Sequence, residues 1–182
     1  MNIADLGKYW KKVINGRPAE AIVIEPASVV TAPWVRLKCQ YGCQMYGREY
    51  CCPPETPTPE QTREILSCYR RVILFHYQAV KKEGENRAKT RKAFLDALVD
   101  LEGQMFKDGF YKAFVLLSGP GNLCPACAKA ENKPCHFGAR ARPSMESFGI
   151  DVYQTAWNNG FPIQPLRHKG ETQNLYCLIL VD

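Results

Sequence analysis

Residues 71–77, RVILFHY, form a short and almost wholly apolar stretch of this 182-residue chain. A run of this length, rich in β-branched and aromatic residues, is typical of a buried strand. Residues 85–107 follow, and their apolar side chains recur at spacings of three and four, which predicts a long amphipathic helix. Residues 112–117 predict the next strand. Together the three segments indicate a β–α–β unit, and this unit decides the fold class.

The segments on either side of this unit supply further elements. Residues 1–17 predict a short helix and a turn, residues 21–24 predict a strand, and residues 175–181 predict the last strand. Residues 29–34 either extend the first strand or begin another. We expect an α/β or α+β fold with a mixed β-sheet and flanking helices, since a crossover helix joins parallel strands.

Three shorter helices are predicted from their ends. Thr58 is a suitable N-cap and Pro59 a suitable first residue for a helix that runs to about Tyr69. Residues 143–148 predict a short helix, and Asp151 caps another. No linker or repeated half divides the chain, so we expect a single cysteine-rich domain over residues 1–182.

The bulk composition is that of a globular protein, with 46% hydrophobic residues and a net charge of +6. The basic residues are spread along the chain without a block of five like charges, so nucleic-acid binding is not expected. The N-terminus lacks a basic segment followed by an apolar run, and no stretch approaches about 18 continuous apolar residues. The sequence therefore predicts a cytoplasmic protein with no membrane span.

The nine cysteines are the strongest chemical signal in the chain. Seven of them lie in two predicted loops at the ends of elements. The first loop holds Cys39, Cys43, Cys51 and Cys52, and the second holds Cys124, Cys127 and Cys135. Cytoplasmic thiols stay reduced, so disulfides are not expected, and clustered thiols there are more often metal ligands or redox groups.

Each loop offers a close pair of thiols and a third thiol eight or nine residues further on. We therefore expect two ligand groups, Cys39, Cys43 and Cys52 in the first loop and Cys124, Cys127 and Cys135 in the second. Structural zinc usually draws two close cysteine pairs or a histidine pair. Two groups of three thiols suit iron–sulfur clusters better. One or two [4Fe–4S] clusters are thus the favoured cofactor, with zinc as the alternative.

The adjacent thiols of Cys51 and Cys52 pose a separate question. Adjacent side chains rarely bind the same iron, so one of the two is either spare or serves the other site. We assign Cys52 to the first group because Pro53 follows it, as a proline follows the last cysteine of bacterial ferredoxin motifs. Cys51 remains a possible ligand.

Other candidate ligands also have simpler interpretations. Cys68, predicted on the apolar side of a helix, and Cys177, in a predicted strand, are expected in the core, with Cys68 a possible fourth ligand. His76 in its strand is expected to be a core residue. His136 directly follows Cys135 and is a possible ligand.

Two motifs give the chain a family resemblance. The first is Cys39-x3-Cys43-x2-Tyr46-Gly47-x4-Cys52-Pro53-Pro54, and the second is RPSME at residues 142–146 followed by GIDV at residues 149–152. From about residue 20 to 180 the chain resembles the predicted metal-binding proteins known as domain-of-unknown-function family 2284. The resemblance implies a cysteine-rich cytoplasmic protein, mostly of anaerobic bacteria and archaea, that holds iron–sulfur clusters through the six thiols assigned above.

The resemblance also implies a departure in the second loop. Many members carry a further cysteine three residues before the one that matches Cys124, and this chain has Gly121 there. The second centre then either has an open iron or takes a ligand from elsewhere.

Three functions are compatible with these observations. The leading hypothesis is an iron–sulfur redox protein that exchanges single electrons with a partner protein. The second is an enzyme whose open iron acts on a small anionic substrate. The side chains that could bind or protonate this substrate are Arg140, Arg142, Glu146 and His136. The third is a zinc-binding structural or accessory module.

Overall fold

The computed structural model describes residues 3–79, 87–119, 123–168 and 171–182. These ranges contain five α-helices and four β-strands, together with three short 3-10 turns. The helices are α1 (Ile3–Ile14), α2 (Trp34–Gly42), α3 (Pro59–Ser67), α4 (Arg87–Lys107) and α5 (Val152–Asn158). The strands are β1 (Ala19–Ile24), β2 (Val72–Ala79), β3 (Phe114–Leu116) and β4 (Gln173–Leu180). The 3-10 turns are Pro26–Ser28, Ala128–Glu131 and Glu146–Phe148.

The four strands form one sheet in the order β1-β2-β4-β3. Ile73 of β2 lies opposite Ile179 of β4, and every strand pair is antiparallel. The expected α/β class is confirmed, but the expected mixed sheet is not seen among the described strands. The crossover helix α4 does make β2 and β3 run in the same direction. However, β4 lies between them and runs the opposite way, so no two neighbouring strands are parallel.

Helices cover both faces of this sheet. Phe75, Cys177 and Ile179 point to one face and pack against α1 and α4. Leu74 and Leu178 point to the other face and pack with α3, α5 and the 3-10 turn Glu146–Phe148. Because both faces are covered, β2 and β4 are apolar along their length rather than alternating. This explains why residues 71–77 are so apolar.

Local signals predicted the N-terminal ends of α3 and α5 well, whereas α3 ends at Ser67, before the predicted end at about Tyr69. Thr58 and Gln61 form a capping box, in which the Thr58 N–H donates to Gln61 Oε1 at 2.9 Å and the Gln61 N–H donates to Thr58 Oγ1 at 3.2 Å. Asp151 caps α5 by accepting from the Gln154 N–H at 3.0 Å. The predicted start of α4 at residue 85 lies outside the described residues.

The chain around the first cysteines differs from its prediction as a loop. Residues 29–34 contribute one bridge, between Thr31 and Ile150, and α2 begins at Trp34. Cys39 therefore lies in a helix, and Cys43 is its C-cap. The helix is possible because no proline occurs between Pro33 and Pro53. Residues 143–148 form only the 3-10 turn Glu146–Phe148.

In residues 3–79, 87–119, 123–168 and 171–182, no helix is both long enough and apolar enough to cross a lipid bilayer.

Candidate metal centre

The fold sorts the seven loop thiols into two groups. We call Cys39, Cys43 and Cys52 the first thiol set, and Cys51, Cys124, Cys127 and Cys135 the second thiol set. All four thiols of the second set line one cavity of about 30 Å³. Members of each set also raise one another's pKa, as neighbouring thiols do, and Cys51 raises the pKa of Cys52 across the two sets. The two adjacent cysteines thus belong to different sets.

The second thiol set brings together two loops that are distant in sequence. Cys51 comes from the first loop, and Cys124, Cys127 and Cys135 come from the second. The loops are joined next to the cavity, because the Tyr50 hydroxyl donates to the Lys133 carbonyl at 2.8 Å. Lys129 also pairs with Glu55 at 2.8 Å. The contact between the loops is therefore built independently of the thiols.

Burial keeps the Cys51 thiol protonated in the absence of a cation. Burial first, and then the neighbouring Cys135, Glu49 and Cys127, raise the pKa of Cys51 to about 11, while Arg142 opposes the shift. A thiol must lose its proton to bind a metal. A bound cation at this position would therefore replace the proton on sulfur.

The first thiol set is built on the end of α2. Cys39 lies in α2, and Cys43, four residues further on, is the C-cap of this helix and is close enough to raise the pKa of Cys39. Cys52 is buried, and its Sγ lies 3.7 Å from Glu49 Oε2. Burial, followed by the charges of Glu49 and Cys43, raises the pKa of Cys52 to about 12. This set therefore offers three thiols, of which Cys43 is exposed.

A tight turn brings Cys52 back towards the end of α2. The N–H of Gly47 donates to the carbonyl of Pro53 at 2.8 Å. Gly47 has a φ of 72°, which a residue without a side chain adopts at little cost. The glycine and proline of the first sequence motif thus close the loop that carries the third thiol of this set.

One arginine lies beside each thiol set and is held there by other groups. Arg142 donates from Nε and Nη2 to the buried Glu102 carboxylate, at 2.6 Å for the Nη2 bond. It lowers the pKa of Cys51 against the effect of burial. Arg36 donates to Thr56 Oγ1 at 3.3 Å and opposes the raised pKa of Cys39 in the same way. Each set thus has a fixed positive charge beside it.

No preformed single-ion site accompanies these sets. Among the described residues, no three or more His, Cys, Asp or Glu side chains are arranged to hold one metal ion. The second set is therefore defined by its shared cavity, and the first set by the effects of its thiols on one another's pKa.

Residues 22–181 match the family described as "Predicted metal-binding protein (DUF2284)". The chain belongs to this family. The match covers both thiol sets and the sheet except for the first half of β1, and the resemblance drawn from the two sequence motifs is thereby confirmed. Neither a curated protein nor a solved structure matches the chain. The family description names metal binding, without a particular metal and without a reaction.

Two of the possible ligands in this DUF2284 chain are exposed and do not line the cavity of the second thiol set. Cys68 is exposed at the C-cap of α3, where its Sγ lies 3.6 Å from the Glu64 carbonyl, so the expected core position is wrong. The buried face of α3 is formed by Pro59, Thr62 and Leu66 instead. His136 is exposed and does not line the cavity of the second set.

The core predictions for His76 and Cys177 are confirmed. Both are fully buried. His76 stacks on Tyr176 with ring centroids 4.9 Å apart, and its Nε2 bonds with Asn174 Oδ1 at 2.8 Å. Burial raises the pKa of the Cys177 thiol strongly, which suits a neutral core side chain.

A larger cavity of about 780 Å³ borders the first thiol set. Cys39 lines it, and so does Glu146 of the second sequence motif. The other side chains proposed for substrate binding are engaged or lie elsewhere. Arg142 is paired with Glu102, and Arg140 is paired with Asp100 at 2.7 Å. Of the four, only Glu146 lines this cavity.

The sequence left the roles of two residues open or unrecognised. Cys51 could be spare or could serve the other site, and the structure places it with the second set. The sequence signal for this grouping is that Cys51 is adjacent to Cys52, because adjacent side chains rarely bind the same iron. Glu102 was not recognised, although a carboxylate within the apolar pattern of α4 is unusual and indicates a buried partner. Gly121, which stands where many family members have a cysteine, lies outside the described residues.

Proposed function

We propose that this DUF2284 protein is an iron–sulfur redox protein that exchanges single electrons with a partner protein. The two thiol sets would hold two [4Fe–4S] clusters, one on each set. The observation that carries the proposal is the second thiol set, in which four thiols from two distant loops line one cavity. Four thiolates are the usual ligand complement of such a cluster.

The chemistry of the donor groups fits this cofactor. Both sets consist of thiols, which are soft ligands that suit iron–sulfur clusters and zinc. The cavity of the second set is lined by Leu123, Phe137 and Ala141 besides its thiols, Glu49 and Tyr50. Apolar surroundings and limited solvent access are features that set the potential of a metal centre. When bound, the clusters would supply a one-electron couple.

The arginines beside the sets support a redox role. A cluster held by several thiolates carries net negative charge, and reduction adds more. Arg142 and Arg36 are fixed by Glu102 and Thr56, so their positive charges would stay in place during reduction. Such fixed charges stabilise the reduced form.

An exposed stripe on α2 is a suitable surface for the partner. Trp34, Leu37 and Tyr41 are 46%, 56% and 79% exposed, at spacings of three and four residues on the helix that carries Cys39. Apolar side chains grouped in this way are typical of an interaction surface. A partner bound there would lie next to the first thiol set.

The proposal is tested by reducing and reoxidising anaerobically purified protein. We expect visible absorbance that bleaches on addition of dithionite and returns on oxidation, together with an electron paramagnetic resonance signal in the reduced state. A colourless protein with bound zinc and no response to dithionite would contradict the proposal and support a structural or accessory zinc module.

The cavity beside Cys39 supports a second candidate, an iron–sulfur enzyme. The first set supplies three thiols, one fewer than a fully thiolate-bound cubane has, and Cys39 borders a space large enough for a small molecule. A change in the visible spectrum of the oxidised protein on substrate addition would distinguish this function from electron transfer alone.

A further inference from the structure

The 780 Å³ cavity has the size of a small-molecule site. It lies between α2, α5, the start of β4 and the residues Ser118 and Gly119, which follow β3. Its walls are largely apolar. The aromatic and aliphatic side chains include Trp34, Ile150, Tyr153, Trp157 and Leu175. Such a wall suits a ligand with an apolar or aromatic group.

Charges of both signs line this cavity without pairing with one another. Lys38 and Arg91 are the cations, and Glu146 and Asp151 are the anions. Among the described residues, none of the four forms an ion pair. Asp151 is already used in capping α5. Arg91 and Glu146 are therefore the strongest opposite charges available to a ligand.

Two enclosed polar atoms of these side chains have no hydrogen-bond partner among the described residues. They are Glu146 Oε2 and Arg91 Nε. Both side chains are half-buried, and an enclosed polar atom of a charged group destabilises the protein when it has no partner. A ligand that donates to Glu146 and accepts from Arg91 would supply the missing interactions.

The position of Arg91 is built into the fold. Its Nη2 donates to the Ser118 carbonyl at 2.8 Å, which fixes one edge of the guanidinium. The next residue, Gly119, has a φ of 74°, and a Cβ there would lie 2.7 Å from the same nitrogen. The glycine thus leaves the space that the guanidinium occupies. A guanidinium held in this way is well suited to bind a carboxylate.

We propose that this cavity binds a small zwitterion with an apolar or aromatic side group, such as an α-amino acid. The ligand carboxylate pairs with Arg91, the ligand ammonium pairs with Glu146, and the side group packs against the apolar wall. This goes beyond the redox function, because the contacts come from side chains outside both thiol sets. Cys39 lines the same cavity, so the bound ligand lies next to the first thiol set.

The proposal is tested by calorimetry on the full chain with three related probes. L-Phenylalanine carries both charges, 3-phenylpropionate lacks the ammonium, and phenethylamine lacks the carboxylate. We expect L-phenylalanine to bind at least about tenfold more tightly than either of the others, a difference of about 1.4 kcal/mol. Equal affinity for the three, or no heat from L-phenylalanine up to about 10 mM, would overturn the proposal.

Two substitutions assign the contacts. Glu146→Gln should remove the preference for L-phenylalanine over 3-phenylpropionate, and Arg91→Gln should remove the preference over phenethylamine. Arg140→Gln is the matched control, because Arg140 lies outside this cavity and should leave all three affinities unchanged. Unchanged preferences in both cavity variants would contradict the assignment.

Metal content measured on the same samples separates this inference from the redox proposal. A protein that contains only zinc, yet prefers L-phenylalanine as described, would refute the redox function and support the zwitterion site.

Discussion

At the scale of single residues, Cys51 and Cys52 show how two neighbouring thiols serve different sites. Cys52 is buried beside Glu49 and the end of α2, whereas Cys51 lines the cavity with the thiols of the second loop. Consecutive side chains in an irregular segment point in different directions, so one pair can bridge two centres. This places the two sets next to each other, with Glu49 influencing the pKa of thiols in both.

Cys51→Ser tests the assignment of the second thiol set. The substitution leaves that set with three thiols, so we expect iron and acid-labile sulfide to fall by about half in anaerobically purified protein, the share of one of two cubanes. Cys68→Ser is the control, since Cys68 is exposed and does not line the cavity of the second thiol set. If the two variants retain equal iron, Cys51 is not a ligand.

Cys177→Ser tests the opposite expectation for a core thiol. Cys177 is fully buried between β2 and β3, and a hydroxyl there has to be desolvated. We expect the free energy of unfolding in urea to fall by about 1–3 kcal/mol, with unchanged iron content. Loss of iron without loss of stability would contradict the core assignment.

At the scale of elements, Glu102 and Arg142 link the second sequence motif to α4. Glu102 accepts from Arg142 and also from the Val115 N–H at 2.6 Å, so one buried carboxylate joins a helix, a strand and a loop. Arg142 in turn lies beside Cys51. The position of the second thiol set therefore depends on the packing of α4.

Arg142→Gln and Arg140→Gln form a matched pair that tests this link. The first leaves the Glu102 carboxylate buried without its cation, and we expect a loss of about 3 kcal/mol in the free energy of unfolding. The second removes a surface pair with Asp100, and we expect a loss below about 1 kcal/mol. Similar losses in the two variants, measured by urea denaturation, would show that the buried Arg142–Glu102 pair contributes no more to stability than the surface pair.

Gly149 fixes the packing of α3 against the 3-10 turn Glu146–Phe148. It has a φ of 71°, and a Cβ there would lie 2.6 Å from Pro59 Cγ. Gly160 has a φ of 77° with open space around it, so it is the control. We expect Gly160→Ala to cost about 1 kcal/mol and Gly149→Ala to cost about 1–3 kcal/mol more. Equal losses of thermal stability would contradict the close contact.

The sequence predicted those elements whose signals are local. The strand at residues 71–77, the caps at Thr58 and Asp151, and the core positions of His76 and Cys177 each follow from a few neighbouring residues. The insertion of β4 between β2 and β3 could not be predicted this way, because strand order depends on contacts between residues distant along the chain. The grouping of Cys51 with the second loop depends on such contacts too.

Cys68 shows a different limit of reading from the sequence. An apolar spacing suggested that it faces the core, but α3 ends at Ser67 and Cys68 is its C-cap. The direction of a side chain beyond the last helical turn no longer follows the helical period, so the residue turns to solvent.

At the scale of the whole molecule, a covered sheet supports segments that carry two thiol sets, two fixed arginines and part of the lining of a large cavity. The helices α1 and α4 protect one face of the sheet, and the other face supports α3, α5 and the segments that carry the second sequence motif. The thiols lie on segments that pack onto this scaffold. This division is typical of proteins in which a rigid core positions a site built on loops.

The central claim is that each thiol set holds an iron–sulfur cluster. The most direct test is the content of iron, zinc and acid-labile sulfide in anaerobically purified protein. The account predicts about eight irons and about eight sulfides per chain, four of each for every cubane. About four irons would contradict the claim for one of the sets, and zinc without sulfide would contradict it for both.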